Sequence, residues 1–197
     1  MARTPGTLLA AGGAGVLVLV LLGFLGAVFL QQPDRSAFRN SFSLIDDRGA
    51  AVDETLFTGH PSLVFFGYTS CPEACPTTMM EVTDWLNVLG PAGDDIKVYF
   101  FSIDPERDTP DVLHDYVEAF SDRIEGITGR PEEMRKAIDK WGISAERVPL
   151  EGGGYQMNHT VSLMMVGKDG RLKGMIPYGA PREAALDKIR TTLLTPS

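Results

Sequence analysis

Ser62-Leu-Val-Phe-Phe-Gly-Tyr-Thr-Ser-Cys71-Pro-Glu-Ala-Cys75-Pro76 is the stretch on which the fold turns. Ser62 to Tyr68 is a short apolar run of β-formers, the composition of a strand buried on both faces. It ends in two cysteines spaced C-x-x-x-C, and Thr77 to Leu89 follows with apolar residues at Met79, Val82, Leu86 and Leu89. Those steps of three and four predict an amphipathic helix. A strand feeding a helix through a cysteine turn puts both sulfurs at a strand carboxyl end, where open α/β sheets bind their ligands.

Downstream the pattern repeats. Ile96 to Ile103 is a second buried-strand run, and Asp104-Pro-Glu-Arg-Asp-Thr-Pro110 reads as a loop. A helix is expected from Asp111 to Phe120 with Thr109 as N-cap, then a short strand over Ile124–Thr128 and a helix from Pro131 to about Trp141. Thr160–Val166, the turn Lys168-Asp-Gly170 and Arg171–Ile176 predict a terminal hairpin, and a last helix is expected from about Pro181 to Leu194. Upstream, Phe42–Gly49 reads as a strand and hairpin. Alternating strands and helices make this an α/β layer fold, and the terminal hairpin makes its sheet mixed, with helices flanking it.

The first 30 residues differ from the rest. They carry one charged side chain, Arg3, and Leu8–Leu30 is uncharged throughout. About 20 apolar residues cross a hydrocarbon core. The run is longer than a signal-peptide core and ends in bulky residues rather than a cleavage site. An uncleaved transmembrane helix over 8–30 is therefore expected, after a short cytoplasmic N-terminus over 1–7. A polar tether over 31–41 follows, then one domain over 42–197. The basic charge before the span favours a cytoplasmic N-terminus, with the domain on the periplasmic side of a bacterial-type inner membrane or in the equivalent mitochondrial topology. Beyond residue 30 lie 17 basic and 26 acidic residues, a formal charge of −9. That balance excludes a basic nucleic-acid binder, and the composition excludes disorder and a disulfide-dense miniprotein.

Cys71 and Cys75 are the only cysteines. A bond between residues four apart would close too small a loop to add much stability, which favours a redox or metal pair over a structural staple. Pro76 suits the first turn of a helix, so Cys75 is expected at or near the N-cap, where the helix dipole would lower its pKa. Outside the cytoplasm the pair could be oxidised. As metal ligands two thiolates are an incomplete set. Soft sulfur selects Cu(I), zinc or iron–sulfur clusters; the last two usually need four Cys or His ligands, whereas copper can be satisfied by three. His159, just before the expected strand Thr160–Val166, is the candidate third ligand, set against an ordinary polar loop residue. His60 and His114 read as ordinary residues, one at the opposite end of a strand and one on a solvated helix face. Met157 is a candidate auxiliary ligand, with core or loop packing as the alternative.

Gly67-Tyr-Thr-Ser-Cys-Pro-Glu-Ala-Cys-Pro76, Ser102-Ile-Asp-Pro-Glu-Arg-Asp-Thr-Pro110, Ile127-Thr-Gly129 and Asn158-His-Thr160 together resemble the SCO/SenC family, over nearly all of residues 40–195. The resemblance implies a thioredoxin-like domain on one N-terminal anchor. It implies Cu(I) or Cu(II) bound by Cys71, Cys75 and His159, and a role in building the dinuclear copper site of cytochrome c oxidase. Family members commonly carry Asp before the histidine. Asn158 here removes a negative charge beside the site. Asp104 and Arg107 read as a capped helix entry with a local ion pair, or as the rim of the site.

The leading expectation is a copper chaperone serving the copper-binding subunit of the oxidase and supplied by an upstream periplasmic copper donor. The alternative is a thiol–disulfide oxidoreductase that keeps the oxidase cysteines reduced, supplied by a thiol reductant. A peroxide-reducing enzyme and a copper or redox sensor are further readings of the same cysteines.

Overall fold

The computed structural model describes residues 42–195. The expected cytoplasmic segment 1–7, span 8–30 and tether 31–41 lie outside them. Among the described residues no helix is long and apolar enough to cross a membrane.

Nine strands and four α-helices follow in chain order: β1 (Leu44–Asp46), β2 (Ala51–Val52), β3 (Ser62–Gly67), α1 (Ala74–Leu89), β4 (Lys97–Ser102), α2 (Pro110–Glu118), β5 (Ile124–Thr128), α3 (Pro131–Lys140), β6 (Ala145–Pro149), β7 (Tyr155–His159), β8 (Ser162–Val166), β9 (Leu172–Pro177) and α4 (Arg182–Ile189). The main sheet has seven strands in the order β2-β1-β5-β4-β3-β8-β9. Its centre, β3-β4-β5, is parallel, and both flanks are antiparallel, which makes it the expected mixed sheet.

Hydrophobicity explains the centre. All six residues of β3 and five of six in β4 are buried, so these strands need helices on both faces. Alternation along them sends Phe66 and Phe101 to one face, against Phe57 and Trp141. Phe65 and Phe100 go to the other, where Tyr116 of α2 meets Phe100. The β3-α1-β4 and β4-α2-β5 crossovers step the same way across the sheet, so right-handed connections place α1 and α2 on one face. The stripe Met79, Val82, Leu86 and Leu89 is buried as its spacing requires, and α4 packs against the same helix. Thr109 caps α2 by accepting from the Val112 amide at 3.5 Å.

Three boundaries differ from the sequence expectation. The cysteine helix begins at Ala74, with Glu73 at the N-cap, rather than at Thr77, so Cys75 and Pro76 both lie in its first turn. The last helix ends at Ile189 and continues as a π-turn over Arg190–Leu194. The segment between Trp141 and Thr160 contains an unexpected antiparallel hairpin, β6–β7, which forms a sheet of its own. Its strands are polar and half-exposed, so they lack the apolar run that marks β3. Its loop turns on Gly152, Gly153 and Gly154, all at positive φ (92°, 102° and 80°), a region that side chains with a Cβ rarely enter. His159 therefore closes a strand rather than sitting in a loop before one.

Candidate metal centre

Three elements converge at the carboxyl end of β3. The first is the cysteine turn. Cys71 N–H bonds back to the Tyr68 carbonyl at 3.2 Å, and Cys75 N–H reaches Cys71 Sγ at 3.4 Å. Cys75 is fully buried and Cys71 is half-buried, and neither is in a disulfide. Cys75 fits because Gly67 has no side chain. A Cβ there would stand 2.9 Å from Cys75 Sγ and 2.8 Å from the Phe65 and Phe100 rings.

The second element is the loop after β4. Asp108, fully buried, accepts from Thr69 N–H at 3.2 Å, Thr69 Oγ1 at 2.7 Å and Ser102 Oγ at 2.7 Å. It thereby fastens the start of the cysteine turn to the end of β4. Burial pushes its carboxyl pKa up, opposed by the donors of Thr69 and Ser102. Asp108 was not singled out from the sequence. The available signal was a second carboxylate beside the strand-end hydroxyl of Ser102.

The third element is β7. Its alternation turns Tyr155, Met157 and His159 inward and Gln156 and Asn158 outward. His159 Nε2 lies 3.8 Å from Cys75 Sγ. The ring stands edge-on to Tyr68, with centroids 5.6 Å apart at 81°, and to Phe65 at 6.4 Å and 78°. Burial lowers the His159 pKa, opposed by the ring's hydrogen bond to the Met157 backbone and by the charge on Cys71. A carbonyl can only accept, so one ring nitrogen holds the proton and the other keeps a lone pair.

The two thiols are shifted in opposite directions: Cys71 is lowered and Cys75 raised. The Cys71 pKa falls to about 5 because Cys75 donates its S–H, helped by the backbone N–H groups of Cys75 and Glu73 and by His159, against the cost of desolvation. Cys75 is pushed strongly up, first by holding its proton against Cys71 and then by burial. The pair titrates as one coupled unit, in which each thiol shifts the other.

Among the described residues no group of three or more His, Cys, Asp and Glu side chains is already drawn close enough to hold a metal. The Cys75–His159 spacing nevertheless matches ligation. Bonds of about 2.3 Å to sulfur and about 2.0 Å to nitrogen, meeting at about 120°, hold the two ligand atoms about 3.7 Å apart. Met157 is half-buried and lines a cavity of about 210 Å³ with Met134, Ile138 and Pro105; neither cysteine lines it, nor does His159. Asn158 is on the outer face of β7, Cα-paired with Glu146 and exposed, so its side chain does not turn into the cysteine pocket.

Asp104 and Arg107 are more than a local helix-entry pair. Arg107 Nε donates to Asp104 Oδ2, Tyr155 O–H donates to Asp104 Oδ1 at 2.8 Å, and Arg107 Nη1 donates to the Tyr155 carbonyl at 3.1 Å. The Arg107 guanidinium lies 3.9 Å and that of Arg147 4.0 Å from the Tyr155 ring centre. His60 bonds Ser62 at the far end of β3, as its position implies. His114 is not merely solvated: it reaches the buried Asp47 at 3.0 Å and Glu118 at 3.4 Å, away from the cysteines.

Residues 30–194 match the pattern of the SCO1/SenC family. The SCO2-like protein of Rickettsia prowazekii is 32% identical over 140 residues, 70% of this chain and 68% of that protein. Mitochondrial SCO2 of Saccharomyces cerevisiae is 30% identical over 158 residues, 78% of this chain and 52% of that protein. Bradyrhizobium japonicum ScoI, solved with copper bound, superimposes with a TM-score of 0.71 at 36% identity, covering 78% of this chain and 98% of that one. Yeast Sco1 with copper bound gives 0.71 at 28% identity, covering 77% and 86%.

Proposed function

The chain belongs to the SCO1/SenC family, and from that premise we propose that it is a membrane-anchored copper chaperone. Its Cys71, Cys75 and His159 hold copper and deliver it to the dinuclear copper site of cytochrome c oxidase. The observation that carries this reading is the approach of His159 Nε2 to Cys75 Sγ at 3.8 Å, with Cys71 Sγ bound to the Cys75 amide in the same pocket.

Each residue has a task. Cys71, already a thiolate and half-exposed, meets the incoming ion first. Cys75 follows and must release the proton it shares with Cys71, so loading liberates about one proton. His159, neutral because it is buried, offers a lone pair without first losing a proton. Two sulfurs and one nitrogen suit Cu(I), and an added ligand would accommodate Cu(II). Exchange onto a second dithiol, that of the copper-binding oxidase subunit, then delivers the ion. A periplasmic copper donor supplies it upstream. The N-terminal span holds the domain on the side of the inner membrane where that subunit exposes its copper site.

Anaerobic Cu(I) titration with X-ray absorption tests the assignment. Wild type is expected to show about two sulfur and one nitrogen or oxygen neighbours, and His159→Ala to lose the imidazole signature and bind more than about 100-fold more weakly, beyond the roughly 10–100-fold that outer-shell partners cost. Unchanged affinity and coordination in His159→Ala would sink it.

A second reading, thiol–disulfide exchange, is favoured by the half-exposed Cys71, whose pKa is lowered, backed by the buried thiol of Cys75. Cys71 attacks a target disulfide and releases one target thiolate. Cys75, losing its proton, then attacks Cys71 Sγ and releases the other. The target gains two electrons and the Cys71–Cys75 pair becomes the disulfide. An upstream thiol reductant would restore it. This step does not need His159, so a cellular defect caused by Cys75→Ala but not by His159→Ala would favour it over copper delivery.

A further inference from the structure

β7 carries His159 yet belongs to a two-stranded sheet, so no ladder of the main sheet fixes its height above the cysteines. At the His159 end the two strands close on each other, Thr160 N–H bonding the Ser144 carbonyl at 3.0 Å, and the chain then enters β8. The other end meets the body of the domain through Tyr155 and through Arg147, whose Nη2 donates to Glu106 at 2.8 Å. Tyr155 and His159 share the inner face of the strand, two pleats apart, or about 14 Å along it.

We propose that Arg107 is a positioning residue that, by bracing Tyr155 against the loop after β4, sets where His159 lies relative to Cys75. The inference rests on the copper-site reading above. Arg107 holds Asp104 through Nε and the Tyr155 backbone through Nη1, and its flat face covers the Tyr155 ring at 3.9 Å. Asp104, almost wholly buried, returns the grip by accepting the Tyr155 hydroxyl. Arg107 also lies 5.7 Å from the centre of the Tyr68 ring, the ring that stands edge-on to His159. One guanidinium thus braces both the strand that carries the ligand and the ring that walls it.

The third guanidinium nitrogen, Nη2, is buried without a hydrogen-bond partner. An orphaned donor on a cation is a cost that an apolar contact between loop and hairpin would avoid. The two directed bonds and the stacking contact together use the planar fork of Arg107. Lysine has no planar fork and cannot make the two directed bonds and the stacking contact together.

The test is a double-mutant cycle on the full-length chain, reading Cu(I) affinity by competition with a chromophoric chelator. Arg107→Lys is expected to weaken Cu(I) by about tenfold, the scale on which outer-shell partners act. In a His159→Ala background the same substitution should cost nothing further, because the group it positions is gone. A loss of equal size in both backgrounds, or no loss in either, overturns the positioning role. Unchanged affinity in His159→Ala alone overturns the site reading instead. Tyr155→Phe keeps the ring and removes only the bond to Asp104, so it serves if Arg107→Lys fails to fold. It should give a loss of a few-fold that also vanishes without His159, and a persisting loss overturns the proposal. The imidazole nitrogen coupling in the Cu(II) electron paramagnetic resonance spectrum should weaken in both variants, which a purely structural role would not produce.

Discussion

At the scale of single residues, the chemistry rests on an asymmetry between two sulfurs four positions apart. Burial under Gly67 denies Cys75 the solvation a thiolate needs, so its proton stays and is shared with Cys71. Cys71 accepts that S–H and the amides of the turn, and its pKa falls from 9.0 to about 5. The sign follows from linkage. A depressed folded-state pKa gives stability that is fully present above about pH 9, declines as the pH falls, and is gone below about pH 5. Two outcomes are expected in the reduced protein. Alkylation by iodoacetamide, followed by peptide mapping, should label Cys71 with a midpoint near pH 5 and leave Cys75 almost untouched at neutral pH. Cys71→Ser should flatten the rise in stability between about pH 5 and pH 9. Preferential labelling of Cys75 would instead favour the helix dipole at Cys75 over the S–H donated to Cys71.

At the scale of elements, β3, α1 and β4 were legible because each has one strong signal: an apolar run, a helical stripe, or prolines and glycines at the ends. The hairpin β6–β7 had none. Ala145-Glu-Arg-Val-Pro and Tyr-Gln-Met-Asn-His are too polar for a buried strand, and their pairing depends on a partner strand rather than on local preference. For the same reason the sequence could name His159 but not Tyr155 or Arg147, whose roles arise only when the hairpin folds over the loop after β4. The junction of β3 and α1 can be tested. Gly67→Ala puts a methyl 2.9 Å from Cys75 Sγ and 2.8 Å from two rings. Overpacking of this kind costs about 1–3 kcal/mol. Urea denaturation should show that loss, and Cu(I) affinity should fall with it because Cys75 is displaced from His159. Wild-type stability in Gly67→Ala would mean that the junction is looser than the contacts indicate.

At the scale of the whole molecule, the average charge and hydropathy describe neither part of the chain, since an uncharged stretch over 8–30 precedes a domain with a formal charge of −9. The fold class was legible because strand and helix alternation is a property of the entire order of elements and tolerates errors at individual boundaries. The candidate residues Cys71, Cys75 and His159 were legible in the sequence and their supporting frame was not, because Asp108, Tyr68 and Tyr155 come from three distant segments. The described residues 42–195 lie in one compact unit. Produced as a fragment, that unit is expected to unfold in one cooperative transition. The proposed ligands come from β7 and from the turn between β3 and α1, so unfolding takes His159 out of the set while the two cysteines, close in sequence, keep part of their affinity, and copper binding is felt as stability by the difference. At free Cu(I) about 1,000 times its dissociation constant the gain is at most about 4 kcal/mol, reached only without binding to the unfolded chain. For a domain of this size that raises Tm by at most about 8–16 °C. Oxidation to the Cys71–Cys75 disulfide should abolish the shift, because neither sulfur then has a thiolate to offer, and His159→Ala should reduce it at the same copper concentration. Calorimetry of the four samples separates the outcomes: an equal rise in Tm for the oxidised fragment would place the copper somewhere other than on these two sulfurs.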